Sequence, residues 1–67
     1  MQITLNNKIE VFPNETLTIK EILELKKFTY PKLIVKLNDV IIEKEDFEST
    51  FLKEGDNLII LHLLAGG

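Results

Sequence analysis

The residues of this 67-residue chain with the clearest chemical potential stand at its end, Leu63-Leu64-Ala65-Gly66-Gly67. An apolar strand end that gives way to two glycines at a free carboxyl terminus gains little as packing, because glycine has the most backbone entropy to lose on ordering. Extended at about 3.3–3.6 Å per residue, such a tail carries the Gly67 carboxylate roughly 10 Å beyond Leu64. With no Cβ on its last two residues it fits a narrow channel in another protein. The carboxylate is then the candidate reacting group, and an inert chain end is the competing reading.

No other residue offers chemistry of comparable promise. His62 is the single histidine and cysteine is absent, so no set of nitrogen and sulfur ligands can close a metal site around it. The missing cysteine also excludes disulfides and a thiol nucleophile. Glu43, Glu45, Asp46 and Glu48 read as a solvated acidic loop, with a secondary role in steering a basic partner surface. The net charge of −3, the absence of arginine and the alternation of lysines with acids argue against nucleic acid. No apolar run approaches the roughly 20 residues of a membrane helix, and the N-terminus lacks a signal-peptide profile, so a cytoplasmic location is expected.

The elements that must position the tail are legible in order. Met1, Ile3 and Leu5 alternate with Gln2, Thr4 and Asn6, Asn6-Asn7 supplies a turn, and Ile9 and Val11 resume the alternation, which predicts a hairpin over residues 1–12. Thr18 followed by Glu21 is a capping-box pattern, and Ile19, Ile22 and Leu23 follow at helical spacing, predicting an amphipathic helix over about residues 18–27. Phe28 to Lys32 connects, with Tyr30 pushed towards an extended conformation by Pro31. Leu33, Val35 and Leu37 alternate with Ile34, Lys36 and Asn38 as a third strand. Asn38-Asp39 turns into a short fourth strand, Val40-Ile41-Ile42. Phe47, Phe51 and Leu52 are the expected anchors of the charged stretch 43–54, and Gly55-Asp56 turns the chain into Leu58–Leu64, apolar except for His62.

Two strands, one helix and further strands, in a chain long enough for one domain only (residues 1–67), predict an α+β fold of the β-grasp type: a mixed sheet of four to five strands with one main helix on one face. A nearly continuous apolar strand is normally buried on both faces. One helix covers one face, so the other is expected to meet a partner protein.

From Asn38 onward the sequence resembles the ThiS-type sulfur carriers, small ubiquitin-like proteins that end in Gly-Gly. The resemblance rests on Asn38, a basic residue six positions on (Lys44), an aromatic nine positions on (Phe47), Gly55-Asp56, the apolar run Leu58 to Leu64, and Gly66-Gly67. The opening Met1-Gln2-Ile3 and the threonine-led helix with Ile22-Leu23 agree with it. Departures are Asp39 for the family's usual glycine, Glu43 for proline, Lys44 for arginine and Phe47 for tryptophan.

The resemblance implies a carrier and co-substrate of partner enzymes, not an enzyme, with no bound cofactor. A ThiF-like adenylating enzyme would use ATP to activate Gly67, a sulfur donor protein would convert the adenylate to a thiocarboxylate, and a ThiG-like thiazole synthase would receive the sulfur for thiamin. Ala65, Gly66 and Gly67 would thread the partner's channel. By apolarity alone, Ile59, Leu61 and Leu63 face the core. By register with ubiquitin-like folds, Leu58 and Ile60 face the helix while Ile59, Leu61 and Leu63 face outward beside Ile34 and bind partners; the second reading is adopted. A different sulfur acceptor such as molybdopterin, a ubiquitin-like modifier, and an inert interaction module are the alternatives.

Overall fold

The computed structural model describes residues 1–28 and 32–63. Its strands are β1 (Gln2–Leu5), β2 (Lys8–Val11), β3 (Leu17–Thr18), β4 (Leu33–Leu37), β5 (Val40–Ile42), β6 (Phe51–Leu52) and β7 (Asn57–His62), with helix α1 (Ile19–Leu25) after β3. Five strands form a mixed sheet in the order β2-β1-β7-β4-β5, in which β1 and β7 are parallel neighbours and the other pairs antiparallel. This is the expected β-grasp arrangement at the upper strand count.

Both hairpins turn on two residues in the left-handed region, Asn6-Asn7 (φ 49° and 69°) and Asn38-Asp39 (φ 50° and 70°). That is the backbone of a turn whose twist matches the flanking strands, and it explains why asparagine, tolerant of positive φ, opens each. The Asp39 φ also gives the physical reason for glycine as the family's usual residue there. Gly55 (φ 84°) needs its conformational freedom and not space, since a Cβ there would meet nothing within 4 Å.

Helix α1 begins as its sequence dictates. Thr18 Oγ1 accepts from the Glu21 N–H (3.1 Å), and Glu21 Oε1 accepts from the Thr18 N–H (2.8 Å), a complete capping box. It ends two residues before the expected Lys27. Lys27 is left-handed (φ 58°), its N–H donates to the Glu24 carbonyl and that of Phe28 to the Leu23 carbonyl. This is the paired bonding of a helix C-terminus that glycine usually closes, made here by a lysine with no glycine to announce it.

The core lies between α1 and the sheet. Ile19, Ile22 and Leu23 of α1 meet Ile3 and Leu5 of β1, Val35 of β4, and Leu58 and Ile60 of β7. A two-stranded ladder of β3 with β6 closes one end, an element that the sequence reading did not anticipate. It also corrects one expected anchor. Leu52 is fully buried and Phe47 packs half-buried on the core, but Phe51 is 56 % exposed, because alternation along β6 sends adjacent side chains to opposite sides. Tyr30 and Pro31 lie outside the described residues.

Candidate functional site

The site is built outward from β7, the strand that leads into the tail. Leu58 and Ile60 are 0 % and 3 % exposed beneath α1, whereas Ile59 is half-buried and Leu61 and Leu63 are 52 % and 50 % exposed. The strand therefore presents Ile59 and Leu61 on the face away from the helix, the phase adopted from the register with ubiquitin-like folds and not the one suggested by apolarity alone. His62 falls at the strand's exposed end, where it no longer interrupts a core row.

Antiparallel pairing brings the outward residues together. Ile34 of β4 lies opposite Leu61, Lys36 opposite Ile59, and the Leu63 N–H donates to the Lys32 carbonyl (3.1 Å), extending the pairing beyond Leu61. Lys36 also stands opposite Ile41 of β5, which is 59 % exposed. The outer patch is thus Ile34, Ile41, Ile59, Leu61 and Leu63 around Lys36. Ile41 was missed by the sequence reading, although a two-residue turn at Asn38-Asp39 fixes Lys36 against Ile41 and so places both on one face. Leu64, Ala65, Gly66 and Gly67, the expected threading and reacting residues among them, lie outside the described residues.

Two asparagines fix β7 against its neighbours. β1 pairs with β7 only through Thr4 with Asn57 and Leu5 with Leu58 before it turns away. The Asn6 side chain then stands in for a further peptide: the Ile60 N–H donates to Asn6 Oδ1 (2.7 Å) and Asn6 Nδ2 donates to the Ile60 carbonyl (3.1 Å). At the other end the Asn57 N–H donates to Asn38 Oδ1 (2.9 Å), and Asn38 Nδ2 donates to Asp56 Oδ1 (3.0 Å). Asp56, itself buried, accepts the Lys53 N–H on Oδ2 (2.7 Å) and so fastens the Gly55-Asp56 turn. A buried carboxylate held by two donors is a structural device, stabilised by those bonds.

Shifted titrations occur elsewhere. Lys20 and Glu48 form an exposed ion pair (2.7 Å) between α1 and the 43–54 segment; the hydrogen bond and the opposite charge raise the lysine pKa and lower that of the glutamate. This pair borders an open groove also lined by Lys44, Glu45 and Phe47. The acidic residues there do not converge: among the described residues no group of three or more His, Cys, Asp or Glu side chains is placed to hold a metal ion. Among the same residues no helix is long and apolar enough to cross a membrane.

Comparison with known proteins agrees with this architecture. The chain superposes on the crystal structure of the thiamine biosynthesis protein ThiS from Geobacter metallireducens with a TM-score of 0.89 and 32 % identity, covering all of both chains. The solution structure of a thiamine biosynthesis protein from the same organism gives 0.82 and 33 %, covering all of this chain and 88 % of that one. No curated protein sequence matches the chain significantly. The model of the ThiS family matches residues 2–67, and the chain belongs to that family.

Proposed function

We propose that this protein is a sulfur carrier of thiamin synthesis, loaded at the Gly67 carboxylate and acting as a co-substrate of partner enzymes. The observation that carries the reading is the ThiS-family match along residues 2–67. A carboxylate is a poor electrophile and must first be activated. Its oxygen attacks the α-phosphorus of ATP, the bond to pyrophosphate breaks, and an acyl adenylate forms on the terminal glycine. Hydrosulfide released by a sulfur donor protein attacks the carbonyl carbon, the C–S bond forms as the bond to AMP breaks, and loss of the S–H proton leaves a thiocarboxylate. That soft nucleophile gives its sulfur to the nascent thiazole through a ThiG-like synthase. ATP belongs to the ThiF-like activating partner, and no cofactor resides on the carrier.

In this reading the two parts of the site divide the work. Ile34, Ile59, Leu61 and Leu63 dock on the partner, while Ala65, Gly66 and Gly67 reach into its channel. Ile41 extends the docking patch. The reaction is tested by the intact mass of the protein after incubation with a ThiF-type enzyme, ATP and a sulfur source: exchange of one oxygen for one sulfur is expected, and an unchanged mass with an active enzyme overturns the reading. Adding one residue after Gly67 moves the carboxylate by about 3.5 Å, and an error of about 1 Å already costs ~100-fold in rate. Extended and shortened tails should fold and bind normally yet support almost no ATP–pyrophosphate exchange. Exchange at the wild-type rate would make Gly67 an ordinary chain end.

A further inference from the structure

The fold sorts the charges of this chain in a way that its net charge of −3 conceals. Because β1 and β7 are parallel, the β1–β2 turn and the exit of β7 share one end of the sheet, and β4 begins there, with Leu33 opposite His62. Helix α1 runs towards the same end. Its first turn is bonded to the Phe47 and Thr50 carbonyls, while the Gly55 N–H that follows β6 meets the Gln2 carbonyl at the start of β1, the opposite end. Lys8 after the first turn, Lys26 and Lys27 at the helix terminus and Lys32 beside Leu63 therefore surround the exit of β7. Lys26 is paired with Glu10 (3.1 Å), which leaves Lys8, Lys27 and Lys32, all exposed, against Glu24 and against Glu43, which follows Ile42 of β5 on the side of Ile34. The far end carries Asp39, Glu45, Asp46 and Glu54, exposed, against Lys44 and Lys53. The N-terminal ammonium, donating to the Phe12 carbonyl (2.6 Å), offsets one of those acids.

We infer that the basic end is an electrostatic collar that orients the molecule tail-first towards an acidic protein surface around the opening that admits the tail. This deepens the proposed carrier function and rests on it for the identity of the partner. The charge separation matters during approach, because complementary fields act over about 10 Å at 0.1 M salt and raise association rates more than they deepen affinity. It also turns the acidic end away, so that a wrongly oriented encounter is repelled. A polyanionic nucleic acid fits this surface less well: the collar has no arginine, and the opposite end repels phosphate.

The experiment measures association with the adenylating enzyme by stopped-flow fluorescence, without ATP, across a range of salt concentrations. The triple variant Lys8→Gln, Lys27→Gln, Lys32→Gln should associate about ten-fold more slowly at low salt, with the difference shrinking at high salt and the dissociation rate nearly unchanged. Lys44→Gln with Lys53→Gln, the same change at the far end, should leave the rate close to wild type. Lys27→Gly provides a control against damage to the fold. It removes a charge from a left-handed position, so it should melt at a higher temperature and yet associate more slowly. Equal effects from the two ends, an effect independent of salt, or no association of the wild-type protein at all would overturn the collar. So would capture of a single-stranded oligonucleotide that the triple variant loses. Association with these rates but no thiocarboxylate by mass would leave the collar standing and remove the carrier reading.

Discussion

Leu58 and Leu61 lie three residues apart in β7 and carry the same side chain, yet one is fully buried and the other is half exposed. The difference arises from the pleat: Leu58 and Ile60 point at α1, Ile59 and Leu61 at the uncovered face of the sheet. One strand thereby serves two energetic purposes. Its inner row contributes to folding by removing apolar surface from water. Its outer row leaves apolar surface in water, and the proposed function assigns that surface to association with a partner. A 67-residue domain has little stability to spare, so the inner row has the larger consequence for folding.

The sharpest way to break the comparison is to change each row. Leu58→Ala should cost about 2–5 kcal/mol of stability, read by urea unfolding, because the cavity forms beneath α1 with no neighbour free to fill it. Leu61→Asp should shift stability by no more than about 0.5 kcal/mol while weakening the complex with the activating enzyme by roughly 2 kcal/mol. An unfolded Leu61→Asp protein would put Leu61 in the core and reverse the two rows.

Smaller effects sharpen the same contrast through the parts that hold the rows in place. Asn6→Gly retains a residue suited to positive φ but removes the side chain bonded to Ile60, and should cost about 1 kcal/mol, with faster hydrogen exchange at the Ile60 amide and unchanged protection in α1. Uniform loss of protection would show that Asn6 acts on the whole fold and not on β7. Thr18→Ala removes the cap of the helix that covers the inner row and should cost about 1 kcal/mol; native stability by thermal melting would mean that the capping box contributes nothing. Asp39→Gly relieves a left-handed residue in the turn that sets Lys36 against Ile41, and a gain of about 0.5 kcal/mol in denaturant unfolding is expected. A loss there would show that the Asp39 side chain stabilises the turn.

Much of this architecture was legible residue by residue. The hairpin over 1–12, the capped start of α1 and the alternation of Leu33–Leu37 follow from local patterns of period two or 3.6, which each segment imposes on itself. The end of α1 was not legible, because Lys27 takes a conformation usually marked by glycine. Nor was the β3–β6 ladder: two residues are too few to show alternation, and the partners are more than thirty positions apart. The exposure of Phe51 follows from that ladder and was lost with it. On the candidate site, Ile34, Ile59, Leu61 and Leu63 emerged from register with a known family, whereas Ile41 needed the turn geometry to be carried one strand further.

The sequence by itself determined most of the elements that form, since periodicity, capping and turn residues act between near neighbours, and it singled out the Gly67 carboxylate as the candidate reacting group of the proposed function. Only the tertiary structure decided which side of β7 is core, how Asn6 and Asp56 are used, and that a mildly acidic chain has a basic end. Leu58–Leu63 is apolar on both sides except at His62, so its own pattern points Ile59, Leu61 and Leu63 to the core, the opposite of the phase the fold adopts. The choice was made by the parallel and antiparallel pairing of β7 with β1 and β4, and by helix α1, which covers one face and leaves the other to solvent.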